Sequence, residues 1–366
     1  MTHPCDILVL GSGAAGLAAA VASARHGCRT VLLDRQVHPG GTGGWSGLNT
    51  LCGLYDDAGN VLNNGLAREL AEAISDASPV RMGRAWVLPY RPARFRETAR
   101  HYLAHTPGLE LHSQTPLRTV KVEARRITSV NGIGVRAVID ASGTAEIARA
   151  LGLACLHTDE ATQSPAVLFP LFGVGCPLDT PAACARVMLP LVRAGYPPAC
   201  FQPGLDPGEV TVKFSGTVEQ VPELVAFLLE QVPGFADART EGGQVVLARR
   251  AGRMIPGHHL LTGEDVRSGR RFPDAVAHCA WPIEQWGPDG FPHLEYLPPG
   301  THYDIPARAL RARDCDNLFM AGKTISADVD AIASARVMGC CLATGAAAGK
   351  LASVHRAANA ADENAP

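Results

Sequence analysis

CDILVLGSGAAGLAAAVASARHGCRTVLLD, residues 5–34, decides the fold. It begins with a short apolar run of β-formers, passes through the glycine turn GSGAAG, and continues in small residues that suit a helix packed tightly on a sheet. Gly27 stops that helix, and TVLLD at 30–34 is a second apolar strand, so the segment spells one β-α-β unit with parallel strands. Gly11, Gly13 and Gly16 form GxGxxG: the first permits the tight turn, the second lets a pyrophosphate approach the backbone, and the third lets the helix sit close to the sheet. Ala14 and Ala15 open the helix, whose free N–H groups and partial positive charge complement phosphate. Asp34 closes the second strand where a ribose-binding acid belongs. Its carboxylate would repel a 2′-phosphate, which disfavours NADP, although the adjacent Arg35 acts the other way.

Outward from this unit, residues 38–60 are a glycine-dense, almost uncharged loop too long for a simple connector, the kind that usually serves a site. The pattern then predicts helices at 64–76 and 92–105, strands at 109–113, 117–123 and 126–131, and the strand AVIDASG at 137–143. Between about 152 and 300 the texture changes to proline-spaced short strands and two helices, near 181–194 and 218–231. It reverts with DNLFMAG at 316–322, another strand running into glycine, and a long small-residue helix at 331–355. The expected fold is therefore α/β. A discontinuous Rossmann-like dinucleotide domain (1–151 plus 301–356), completed by the C-terminus, carries an inserted α+β substrate domain (152–300), and 357–366 form a disordered polar tail.

Composition narrows the functions. The 366 residues are 46% hydrophobic and 19% charged, with 33 basic against 35 acidic side chains, which suits a globular protein and excludes disorder for most of the chain. A formal charge of −2 supplies no basic surface for polyphosphate, so no nucleic-acid partner is expected. No uninterrupted run of 18 apolar residues spans a membrane, and no basic residue precedes the N-terminal apolar stretch, so the default address is cytoplasmic. Eleven scattered cysteines without a CxxC read as mostly reduced thiols.

Three further features favour FAD over NAD: Gly41 and Thr42 in the loop after Asp34; the strand end Asp140, Ala141, Ser142 and Gly143; and the C-terminal block NLFMAGKTISADVDAIASARVMGCCLATGAAAGKLA. With these the chain resembles the FAD-dependent oxidoreductases of the fumarate reductase-like and glutathione reductase-like superfamily. The likeness extends through RRAGRMIPGHHLLTGEDVRSGRRFPDAVAHCAWPIE at 249–284 and YDIPARAL at 303–310. The resemblance implies that Gly322 and Lys323 lie near the cofactor's pyrophosphate and ribityl chain. It also implies that a helix beginning near Asp330 and Ala331 aims its N-terminus at the isoalloxazine ring, where a helix dipole stabilises the negative charge of reduced flavin. Two departures narrow the chemistry. The loop reads GGTGGWSGLNTLCGLY, with Cys52 alone where disulfide reductases of the superfamily carry a cysteine pair, and a second GxGxxG for a nicotinamide is missing. His38 precedes the glycine pair, near where related proteins attach flavin, but the local motif differs and noncovalent FAD is expected.

The protein's part is then to position substrate and move protons. Arg249, Arg250, Arg253, His258 and His259 crowd together, which suits an anionic substrate; a solvated strand edge whose arginines pair with acids is the alternative. Adjacent strand residues face opposite ways, and His259 is favoured over His258. His302 and Tyr303 are alternative acid-base groups, which makes Arg253, His259, His302 and Tyr303 the catalytic candidates. Cys340 and Cys341 read as core packing, and no Cys/His cluster has metal-ligand spacing, so no metal is expected. The expected reaction is hydride transfer between flavin N5 and a C–H bond or conjugated C=C of a small polar, anionic molecule. Two other readings are a flavin-binding subunit passing electrons to a redox partner protein and a non-catalytic flavin-binding scaffold or RNA-modification partner. A small-molecule substrate is the main expected partner, and a homo-oligomer is compatible with the sequence.

Overall fold

Every residue of the opening strand, Cys5–Leu10, is buried, which requires neighbours on both edges and cover on both faces. The computed structural model, which describes residues 5–160, 162–178, 180–240, 245–287 and 289–363, supplies them. Thr30–Leu33 pairs with the opening strand on one side and Ile133–Asp140 on the other, both parallel. Leu109–His112 extends the sheet beyond Thr30–Leu33, and Leu318–Met320 extends it beyond Ile133–Asp140, again in parallel. The C-terminal part of the chain thus completes the sheet that its first residues start. The near end of Ile133–Asp140 also carries an antiparallel meander of Arg126–Val130 and Val120–Glu123.

Helix Ala14–Arg25 is buried from Ala14 to Ala24 because the last helix, Met338–Glu363, lies directly on it. The approach is close enough that a Cβ on Gly345 would sit 2.1 Å from the Ala15 carbonyl oxygen, and one on Gly349 2.5 Å from that of Ala19. Small residues on both helices are what make this contact sterically possible.

A second core lies under a four-stranded antiparallel sheet in the order Ala199–Pro203, Val210–Phe214, Ala166–Leu171, Val246–Ala248. Phe169, Phe214, Leu224 and Phe235 are buried in it, with helices Pro181–Arg193 and Val221–Gln231 as cover. Met254, Leu261, Phe272 and Tyr303 belong to the first core. The first core thus also takes in Met254, Leu261 and Phe272 of the 152–300 segment. The remaining sequence-expected strands and helices lie within a few residues of Leu66–Ile74, Pro92–His105, Leu109–His112 and the meander.

Two expectations are corrected. The helix expected at 331–355 is two, Val329–Ala335 and Met338–Glu363, meeting at 95°. The last helix also runs through most of the expected tail to Glu363; residues 364–366 lie outside the described residues. No single described helix is long and apolar enough to cross a membrane, and all eleven cysteines are free thiols.

Candidate active site

A cavity of about 810 Å³ runs from the glycine turn to the antiparallel sheet, a size in the usual range for small-molecule and cofactor pockets. At its first end Gly11 has φ +97°, and a Cβ there would stand 2.7 Å from the Ala141 carbonyl oxygen, so only glycine makes this turn. At Gly13 a Cβ would meet nothing closer than Gly41 Cα, at 3.9 Å, and would project into the cavity Gly13 lines. No described side chain caps the helix that starts there, which leaves its first N–H groups facing the space a phosphate needs. Asp34, only 7% exposed, accepts the Ser12 backbone N–H at 2.6 Å, the Ser12 hydroxyl, and the Gln36 N–H at 2.7 Å, tying the glycine turn to the second strand. Arg35 reaches Glu146 at 3.4 Å beside this end.

Alongside, buried Asp140 accepts the Ser142 N–H at 3.0 Å, the Ser142 hydroxyl at 2.6 Å and the Ile147 N–H at 2.9 Å, which shapes the turn through Gly143. Burial raises the Asp140 carboxyl above the usual range, against these hydrogen bonds. The glycine-dense loop contains a short helix, Gly41–Trp45, and a strand, Thr50–Cys52, and presents Thr42, Thr50 and Cys52 to the cavity. These residues fit a dinucleotide: a glycine cradle that a side chain would fill, free helix N–H groups, and a carboxylate at the ribose position.

The other end is charged. Lys213, Arg250 and Arg336 line it together with Glu284. The Glu284 carboxylate accepts the indole N–H of Trp281 at 2.9 Å and of Trp286 at 2.6 Å, and Lys213 Nζ lies 4.0 Å from it. Burial opposes ionisation of Glu284, but Lys213, Arg336 and the two indoles outweigh it and hold its pKa down to about 2. Arg336 donates to Gln163 Oε1 at 3.1 Å and to the Glu284 carbonyl at 3.2 Å, while its Nε is buried with no hydrogen-bond partner among the described residues. Burial lowers the Lys213 ammonium, brings Arg250 to about 10, and brings Lys323 to about 8 with Arg336 adding to the effect.

The structure gathers most sequence candidates for cofactor contact on this one cavity: Gly11, Gly13, Ala14 and Ala15 at the turn, Asp34 and Arg35 at the second strand, Gly41 and Thr42 in the loop. Ala141, Ser142 and Gly143, with Gly322 and Lys323, line its middle. Gly16 serves packing instead, since a Cβ there would overlap the Gly11 carbonyl at 1.7 Å. Asp330 and Ala331 are placed elsewhere. Asp328 caps their helix by accepting from Ala331 N at 2.8 Å, and Asp330 is held by Arg267 at 2.6 Å and Gln285 at 2.7 Å. The chain bends after this helix, so it is the N-terminus of the next one, with Val337, Met338 and Cys341, that faces the cavity.

None of the four catalytic candidates is in the lining. Arg253 lies on a two-stranded ladder opposite His157. His258 and His259 lie in a bend rather than the expected strand; His259 packs edge-on against Phe272 with its Nε2 3.7 Å from Asp265, and His258 is exposed. Tyr303 is fully buried, its hydroxyl 2.8 Å from that of Ser334. His302 contacts Arg271 and His278 and, with His278 and Asp304, places three ligand-type atoms within 4.8 Å of one another. Arg271 contacts both His302 and Asp304, so its cation already balances that group. His38 stacks on Trp45 and does not line the cavity. Of the crowded arginines only Arg249 and Arg250 reach the lining, and Arg249 pairs with Glu160. Sequence reasoning missed Lys213, Glu284 and Trp286. The C-terminal block did contain Arg336, but it read there only as a matching family position.

The family described as FAD dependent oxidoreductase matches residues 6–190 and 178–363. A comparison with curated proteins finds no match. Among solved structures, the chain is similar to a geranylgeranyl bacteriochlorophyll reductase-like protein from Thermoplasma acidophilum, with a TM-score of 0.55 and 14% identity over 100% of this chain and 81% of that one. It is also similar to p-nitrophenol 4-monooxygenase from Pseudomonas putida, with a TM-score of 0.53 and 10% identity over 100% of this chain and 82% of that one. At such identities the likeness is one of fold.

Proposed function

The chain belongs to the FAD dependent oxidoreductase family, and from that premise we propose that it transfers hydride between flavin N5 and a C–H bond or conjugated C=C of a small, polar, anionic organic molecule. FAD supplies the two-electron chemistry when bound. In this reading Gly13, Gly41 and the first turn of helix Ala14–Arg25 hold its pyrophosphate, and Asp34 its ribose. The N-terminus of helix Met338–Glu363 offers partial positive charge at the redox end. One observation carries the choice of an anionic substrate: at that end three partly buried cations, Lys213, Arg250 and Arg336, share the cavity wall with one carboxylate, that of Glu284. Charge left unpaired in a low-dielectric cavity is costly, so a bound anion is favoured there.

His259 and His302 lie outside the cavity and give way to Lys323 as the proton carrier. With its ammonium brought to about 8, it is the lining group best matched to exchange a proton near neutral pH, at Nζ. Anaerobic screening tests the reading: purified protein should show a flavin spectrum that an anionic metabolite bleaches. Bleaching confined to uncharged compounds would refute the anionic substrate, and the absence of bleaching by any class would refute hydride transfer.

A further inference from the structure

We infer that Lys213 and Arg250, braced on Trp286, form a clamp for the carboxylate of a substrate whose remainder is apolar. The inference rests on the proposed function only in placing the substrate in this cavity. Lys213 Nζ stands 3.9 Å and the Arg250 guanidinium carbon 4.1 Å from the centre of the Trp286 ring, so one indole orients both cations. The indole is itself fixed, because its N–H donates to Glu284 at 2.6 Å.

Glu284 receives the two indole N–H groups and lies 4.0 Å from Lys213, beyond hydrogen-bond reach. Lys213 donates no hydrogen bond to any described residue, so the N–H groups not turned to the Trp286 face remain for a ligand, and the Lys213 side chain is only 13% exposed. Arg250 contacts the Ser164 carbonyl through Nη1, which leaves its other donors available. The Lys213 ammonium and the Arg250 donors not spent on Ser164, both gathered on the Trp286 indole, can serve the oxygens of a carboxylate. Leu168, Met188, Phe201 and Trp281 line the same cavity and suit an apolar or aromatic body.

Benzoate and its uncharged isostere benzamide are the probes, titrated calorimetrically into the flavin-loaded protein at pH 7. Benzoate should bind at least about tenfold more tightly than benzamide, the usual scale for a hydrogen-bonded charge pair. Lys213→Met and Arg250→Met should each remove that advantage while leaving flavin content and benzamide binding unchanged, and Lys213→Arg should restore most of it. Equal affinities for the two probes on the unaltered protein would overturn the clamp, and this comparison needs no variant. So would flavin-replete Lys213→Met protein that binds benzoate as before. If benzoate binds as expected while no metabolite bleaches the flavin, the clamp stands and the hydride-transfer reading falls. If an uncharged metabolite bleaches the flavin while benzoate does not bind, the reverse holds.

Discussion

Glu284 is the cavity's charge reference, and its acidity makes it testable. Its pKa is held at about 2, against an ordinary 4.5, so ionised Glu284 stabilises the folded state fully above about pH 4.5, and that contribution is lost as pH falls towards 2. Glu284→Gln should destabilise the protein by about 3 kcal/mol in urea unfolding at pH 7, because it leaves Lys213 and Arg336 buried without their counter-charge. It should also flatten the acid limb of the stability profile. Lys323 shifts the other way. With its ammonium near 8 instead of 10.5, the cavity loses a positive charge as pH rises through about 8, and affinity for any anion bound there should fall across that range. Lys323→Arg should abolish the inflection, as benzoate titrations from pH 6.5 to 9.5 would show. The folded state binds fewer protons than the unfolded chain between about 8 and 10.5, so Lys323 makes apoprotein stability rise with pH in that window. Neither role was legible in the sequence. Lys213 sits in VTVKF, where it reads as an ordinary outward lysine, and it faces Glu284 only because two remote strands share a cavity wall.

At the scale of elements, the two helices after Leu318–Met320 explain both a success and a miss. The glycine turn, its helix and the second strand were readable because a β-α-β unit is specified by contiguous residues. The helix break was not, because no proline or glycine lies between Ala335 and Met338 to mark it. Asp328, which accepts from Ala331 N, was the available signal, an N-cap residue that announces the first helix without saying where it stops. The second helix then presses on Ala14–Arg25 through Gly345 and Gly349. Gly345→Val would drive a side chain into the Ala15 backbone and push away the glycine turn proposed to hold the pyrophosphate. The expected result is about 3 kcal/mol of lost stability and protein purified with little flavin, read as the ratio of visible to ultraviolet absorbance.

Across the whole molecule, two hydrophobic cores meet at one cavity. The parallel sheet supplies the glycine end, and the antiparallel sheet supplies Lys213 and much of the opposite wall. A ligand bridging them binds only the folded form, so FAD at a hundred times its Kd should raise stability by about 2.7 kcal/mol. Reconstituted protein should melt correspondingly higher than apoprotein, and the gain should shrink in Gly345→Val. Most of the parallel sheet was legible because Cys5–Leu10, Thr30–Leu33 and Leu318–Met320 carry apolar runs, down to the return of residues 316–322. The catalytic candidates were not, because nearness along the chain at 249–259 is not nearness in space: Arg250 turns towards the cavity while His259 packs on Phe272.

Leu168, Met188 and Cys200 sit on the antiparallel unit while the glycine turn belongs to the parallel sheet, so this stretch of wall can vary without altering the turn. Randomising Met188, Cys200 and Leu168 would retune which molecules are accepted while the yellow colour persists.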